Sequence, residues 1–173
     1  MKQQHNKIMN QQKNNIGLVE YCRKQVGRPY WYGTFGQKAT KALYENRKKA
    51  YPRYYTATDY NKQFGMKVHD CIGLVKGYMW TDDPDSTNYT YKDHGFNDMS
   101  ADMCYNHCTR KGEGINTMPD VPGVLVFMKG HVGVYAGNGE VIEARGHAYG
   151  VVVTKLKARP WKRWAYIDEI QYL

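Results

Sequence analysis

The stretch His69-Asp70-Cys71-Ile72-Gly73-Leu74-Val75, running on through Lys76-Gly77-Tyr78-Met79-Trp80, constrains this chain most. It predicts a buried helix with a thiol in its first turn. Asp70 suits the N-cap, because a carboxylate there accepts from the unpaired N–H groups of the first turn. Ile72, Val75 and Met79 recur at helical spacing, and Leu74 and Tyr78 widen the apolar stripe. A thiol so placed sits where the helix dipole and free N–H groups favour negative charge, which lowers its pKa and makes a nucleophile. The competing reading is a small buried hydrophobe beside a cap.

A length of 173 residues suits one domain with a real core. With 42% hydrophobic residues and 14% aromatics, the composition is not that of a disordered chain. Tyr is abundant, at 16 residues against 4 Phe, and Tyr-rich grooves hold polar polymers through ring area and hydroxyl together. The net charge of +9 points to a polyanionic partner: nucleic acid, an anionic membrane surface or an anionic cell wall. Free thiols are expected of Cys22, Cys71, Cys104 and Cys108, whose spacing is no disulfide framework. No run reaches the roughly 18 apolar residues of a membrane span. The basic start Met1-Lys2-Gln3-Gln4 has no apolar region after it, so no Sec-type signal is read. The chain is then expected to act inside the cell, to leave by another route such as lysis, or to be a trimmed form.

Residues 1–13 read as a frayed tail and 14–173 as a single domain. A first helix is expected from Asn14 or Asn15, with Ile16, Val19, Cys22 and Val26 buried and Gly27 at its C′ position. Residues 37–50 read as an amphipathic helix with Ala39, Ala42 and Leu43 inward, ended by Pro52. The aromatic, basic stretch Tyr51–Tyr60 is either an irregular cover or one wall of a polymer groove. A further helix is expected over about 99–110, capped by Asp98 or Ser100. Cys104, His107 and Cys108 on it, with His94, invite a zinc reading. Structural zinc pairs sit on loops or knuckles instead, so no metal is expected. From Val121 the pattern turns to strands: 124–127, 131–135, 141–144, 150–154 and 164–167. Helices first and a mainly antiparallel sheet after them make an α+β domain.

His131 opens one of these strands between Gly130 and Gly133. It is either an edge histidine satisfied by water or the partner of the helix-start Cys. A Cys–His pair suits thiol acyl transfer: His takes the proton, thiolate attacks the carbonyl, and imidazolium protonates the leaving amine. The Cys71 backbone N–H can serve as oxyanion donor. The imidazole needs a partner to fix its tautomer. If Gly137-Asn138-Gly139 is a three-residue loop, Gly133 faces Glu143 and Glu143 is a diagonal neighbour of His131, across space a glycine leaves open. If Asn138-Gly139 is a two-residue turn, the register slips and Glu143 points away. His147 is the other candidate, and Glu143 is preferred. Glu143→Gln is expected to cost activity with little loss of folding.

Three sets of residues resemble the NlpC family of cell-wall cysteine peptidases. They are Pro29-Tyr30-Trp31-Tyr32-Gly33; Asp70-Cys71-Ile72-Gly73-Leu74-Val75; and Pro122-Gly123 through Gly130-His131-Val132-Gly133-Val134-Tyr135 to Ile142-Glu143-Ala144. The resemblance implies a papain-like α+β fold, its catalytic Cys at the N-terminus of a helix packed on the sheet. It implies hydrolysis of amide bonds in peptidoglycan stem peptides, with Cys71, His131 and Glu143 catalytic and Tyr30, Tyr32 and Asp70 at the substrate. No cofactor and no nucleic-acid partner are implied; an anionic wall polymer fits the charge. The chain departs from the family pattern in three ways. Ile72 replaces a Ser that joins the preceding Asp in holding a free amine, Glu143 stands where His is usual, and 34–66 and 81–120 are expanded. An amidase or acyltransferase of the same fold, and a non-enzymatic wall-binding module, are the alternative functions.

Overall fold

In the computed structural model, residues 12–173 are described. The expected tail lies outside them except for its last two residues. Lys13 is tied down: its ammonium donates to the Thr81 carbonyl at 2.8 Å and lies over the Tyr78 ring.

Helix α1 (Asn15–Gln25) starts as expected, with the Asn14 side chain accepting from Gly17 N at 2.8 Å. Gly27 follows at positive φ. The buried face differs from the expected stripe: Ile16 and Val26 are exposed, while Leu18, Tyr21, Cys22 and Gln25 face inward. The inward set keeps the helical period, which Ile16 and Val26 straddle.

Strands β1 (Phe35–Lys38) and β2 (Lys67–His69) form a small antiparallel pair. Between them lies α2 (Lys41–Ala50), capped by Thr40, which accepts from Leu43 N at 3.1 Å. The helix is shorter than expected because 35–38 pair with β2. Ala42 is exposed, and Ala39 is buried ahead of the helix. This insert has its own small core around fully buried Trp31, with Tyr55, Tyr60, Ala39 and Val68. The Trp31 indole donates to Gln63 Oε1 at 2.6 Å.

Helix α3 (Gly73–Trp80) is buried on every side rather than along a stripe. One side meets α1, where Tyr21 and Tyr78 have ring centroids 6.1 Å apart. Gly73 permits the approach of β1, since a Cβ there would lie 2.0 Å from the Thr34 carbonyl oxygen. Helix α4 (Ala101–His107) is capped by Ser100, not Asp98, which instead pairs with Lys76 at 2.6 Å. Strand β3 (Lys111–Glu113) lies between the expected helix and the expected strands, where the sequence assigns no element.

The main sheet has the order β3-β8-β4-β5-β6-β7, every neighbour antiparallel. Its remaining strands are β4 (Leu125–Met128), β5 (His131–Gly137), β6 (Glu140–Ala144), β7 (Val151–Lys155) and β8 (Arg163–Ala165). The principal core lies between this sheet and α1, α3 and α4, with Leu18, Leu74, Phe127 and Ile142 shielded from water. Each such side chain contributes about 1.5–3 kcal/mol through burial. No helix among the described residues is long and apolar enough to cross a membrane.

The β5–β6 hairpin combines the two registers considered from sequence. Asn138 and Gly139 form a two-residue turn, both at positive φ (54° and 71°), as such hairpins require. A bulge between Tyr135 and Gly137 then restores the longer-loop register, so Val134 faces Ile142. Glu143 therefore shares a face with His131.

Candidate active site

Cys71 sits in the turn just before α3, not in its first turn. Asp70 holds that turn from both sides. Its Oδ1 accepts from Gly73 N at 2.7 Å and its Oδ2 from Gly33 N at 2.8 Å. The carboxyl is buried, and burial raises its pKa against the opposing pull of Lys76 and these two N–H groups. Asp70 thus fastens the Tyr32-Gly33 loop to the Cys71 turn.

The Pro29–Trp31 segment runs beside β2, with a parallel bridge between Tyr30 and His69. Tyr30 is thereby laid against Cys71, and burial followed by the proximity of Cys71 and Asp70 pushes its phenol upward. Tyr32 also neighbours Asp70 and Cys71, and burial with Tyr54 pushes it to about 12. Its ring stacks on Tyr54 from the insert, centroids 3.7 Å apart and planes 5° apart. Within Tyr51–Tyr60, Tyr55 and Tyr60 are buried, while Tyr51 and Tyr54 are exposed beside Tyr32.

The Cys71 thiol contradicts the expected low pKa: burial, with Asp70 second, raises it to about 12. Hydrogen bonding by the backbone N–H groups of Val132, Ile72 and Cys71 opposes this and does not prevail. Without helical turns at Cys71 itself, the dipole contribution is weak against desolvation. The Val132 contact places the sulfur at the start of β5, one residue from His131.

His131 turns Nε2 to Glu143 Oε1 at 2.9 Å, so Nδ1 is the ring nitrogen that carboxylate does not engage. Glu143 is 0% exposed. Thr154 Oγ1 donates to its Oε2 at 2.6 Å, and Arg159 donates from Nε to Oε2 at 3.2 Å and from Nη2 to Oε1 at 2.9 Å. Burial alone would raise this carboxyl; the bonds from His131, Arg159 and Thr154 outweigh it and hold the pKa at about 2. The His131 ring stacks on Trp161, centroids 5.4 Å apart and planes 15° apart.

The space above Gly133 is not open to Glu143. A Cβ there would meet Val141 Cγ1 at 2.5 Å and Trp161 at 3.0 Å, so the glycine makes room for those two. His147 pairs with Asp59 at 2.7 Å and packs on Tyr60, joining the loop after β6 to the insert.

Sequence reasoning missed Thr154, Arg159 and Trp161. Thr154 was within reach of pattern, since it faces Val141 across β6–β7 and so shares Glu143's face. Arg159 and Trp161 follow the single turn Leu156–Ala158, whose direction no periodicity gives.

No Cys104–His107–Cys108 zinc group forms among the described residues. His107 meets Glu169 at 2.5 Å, and both thiols are buried in the core. The grouping of three possible metal-ligating atoms within 4.8 Å there is Asp82, Asp93 and His94. The Lys13 ammonium lies close enough to Asp82 and Asp93 for both to pull its pKa upward against the larger effect of burial.

A Cys before a buried helix, a His–carboxylate pair on adjoining strands and a six-stranded antiparallel sheet coincide with a family model. The NlpC/P60 family model matches residues 27–169. This chain belongs to the NlpC/P60 family. Among curated protein sequences, none matches it significantly. NlpC2 from Trichomonas vaginalis is similar in fold, with 16% identity and a TM-score of 0.53 over 92% of this chain and 49% of that one. The chain thus spans about half the length of that relative. The peptidoglycan hydrolase RipB from Mycobacterium tuberculosis matches at 22% identity and TM-score 0.52, over 91% of this chain and 67% of that one. RipD from the same organism, described as a non-catalytic NlpC/p60 domain protein adapted to peptidoglycan binding, matches at 17% identity and TM-score 0.50, covering 88% and 96%. These likenesses show the papain-like α+β fold.

Proposed function

We propose that this chain is a cysteine peptidase that hydrolyses amide bonds in bacterial peptidoglycan stem peptides, its catalytic unit a single domain over residues 14–173. Family membership supports action on peptidoglycan. The observation that carries catalysis is the His131–Glu143 bond at 2.9 Å on the strand that begins beside Cys71.

His131 Nδ1 takes the Cys71 proton as the sulfur attacks the scissile carbonyl. The Cys71 N–H, outside any helical ladder, receives the developing oxyanion. The imidazolium, held by Glu143, passes its proton to the leaving amine, and the C–N bond breaks to leave a thioester. Water, deprotonated by His131, then attacks the thioester, releasing the carboxylic acid and restoring the thiol. Tyr30 and Tyr32 border the substrate beside the sulfur. Asp70, already holding two backbone N–H groups, positions the turn, and buried Ile72 offers no hydroxyl. The exposed basic residues of α2 and its C-terminal turn, Lys48, Lys49 and Arg53 among them, suit an anionic wall polymer.

A wall-binding module without catalysis is the second reading, favoured by the raised Cys71 thiol and by the fold shared with RipD. Mass spectrometry of digested peptidoglycan separates the two. New amino termini at one stem-peptide amide support hydrolysis. Intact stems with bound protein support the module.

A further inference from the structure

We propose that Arg159 is a positioning residue that acts through Glu143: its guanidinium fixes both carboxylate oxygens and cancels their charge, so the Cys71–His131 pair rests uncharged and becomes charged only during attack. The inference rests on the proposed Cys–His chemistry.

The geometry is a closed set. Glu143, with no exposed surface, has four hydrogen bonds: two from Arg159, one from Thr154 and one from His131. A carboxylate has about four lone-pair sites, so this one is saturated. The guanidinium bonds through two nitrogens to two oxygens, the fork geometry that fixes carboxylate orientation. Its central carbon Cζ lies 5.8 Å from the centre of Trp161, the ring that also floors His131. One indole thus supports both cation and imidazole.

The electrostatic consequence follows from pairing. A buried carboxylate with only an imidazole for company favours the imidazolium, because an unpaired buried charge is costly. That drives the thiol proton to histidine and yields a standing thiolate–imidazolium pair. Here Arg159 already supplies the countercharge, so that demand is absent. Other charges around the pair do not replace it. Asp70, on the Cys71 turn, disfavours thiolate. Asp102 takes the Gly130 N–H at 3.0 Å at the head of β5, with Arg163 3.9 Å away. On β7, Val152 faces Glu143, and Lys155 pairs with Glu140 at 3.9 Å. The high Cys71 pKa accords with a proton resting on sulfur.

The test is alkylation of Cys71 by iodoacetamide across pH, in which thiolate displaces iodide, followed by mass spectrometry of the Cys71 peptide. It needs no substrate. Failure to cut peptidoglycan would bear on the proposed function, and the alkylation profile on Arg159. The wild-type rate should rise only toward alkaline pH. Arg159→Met should gain a second reactive phase, with a rate at least about tenfold higher near pH 6. Arg159→Lys, which keeps the charge, should follow the wild type. Superimposable Arg159→Met and wild-type profiles, or an acidic phase in the wild type, overturn the proposal. If Arg159→Met does not fold, the thiolate ultraviolet band of wild type minus Cys71→Ala near pH 6 decides. No band is expected, and a band overturns it.

Discussion

Trp161 lies face to face with His131, ring planes 15° apart, in room that Gly133 leaves by carrying no side chain. Gly133 has ordinary strand backbone, so its substitution tests space alone. Gly133→Ala places a Cβ 2.5 Å from Val141 Cγ1 and 3.0 Å from Trp161. Overpacking of this kind costs about 1–3 kcal/mol. Urea unfolding should show that loss, and wall hydrolysis should fall further than stability because the imidazole loses its floor. An unchanged urea midpoint would show that the two side chains give way freely.

Glu143→Gln should lower hydrolysis by about 10²–10⁴-fold, as the imidazolium loses its anionic partner. The sequence alone suggested little effect on folding. Arg159 changes that, since the amide leaves a guanidinium that is only 19% exposed without its countercharge. A fully buried pair broken this way costs about 3–5 kcal/mol, and the partial exposure reduces it to roughly 2–3 kcal/mol. Denaturant midpoints at neutral pH read this difference.

The same carboxyl predicts a pH dependence of stability. Its folded pKa of about 2 lies below the ordinary value of 4.5, so its contribution is present above about pH 4.5 and is lost as pH falls toward 2. The contribution is on the order of 3 kcal/mol. Between these limits wild-type stability should fall more steeply than that of Glu143→Gln. Parallel acid profiles would remove Glu143 from the account.

Much of this arrangement is legible in the chain. Asp70-Cys71, the glycine-flanked His131 and the Asn138-Gly139 turn mark their own positions, because local chemistry sets each one. The hairpin shows the limit. Its two-residue turn alone would point Glu143 away from His131, and only the bulge before Gly137 brings it back. Its one mark in the chain is Gly137, at φ 88° in the bulge, and a glycine beside Asn138-Gly139 reads equally well as part of a longer loop. The low thiol pKa expected from the sequence does not hold, because the dipole can be read from neighbours in sequence, whereas desolvation comes from the packed fold. Arg159 and Trp161 arrive through an irregular turn and were invisible for that reason.

Asp70→Ala separates a structural role from a substrate-binding one. It removes the acceptor for Gly33 N and Gly73 N, leaving a buried Gly73 donor that costs about 1–3 kcal/mol and a half-buried Gly33 donor that costs less. Thermal stability and kcat should both fall as the Cys71 turn loosens. A change confined to KM would assign Asp70 to substrate instead.

The His147–Asp59 pair at 2.7 Å ties the insert to the loop after β6. His147→Ala should free that edge and speed limited proteolysis within 51–60. Catalysis should change less than in Glu143→Gln, because the His131 partner stays in place. A loss of hydrolysis equal to that of Glu143→Gln would return His147 to the catalytic set.

The most direct measurement is release of new amino termini from purified peptidoglycan by wild type and by Cys71→Ala, with circular dichroism showing that both are folded. The wild type should release them, and Cys71→Ala should fall by at least about 10³-fold. Equal release by both proteins, or none by the folded wild type, would contradict a Cys71 nucleophile.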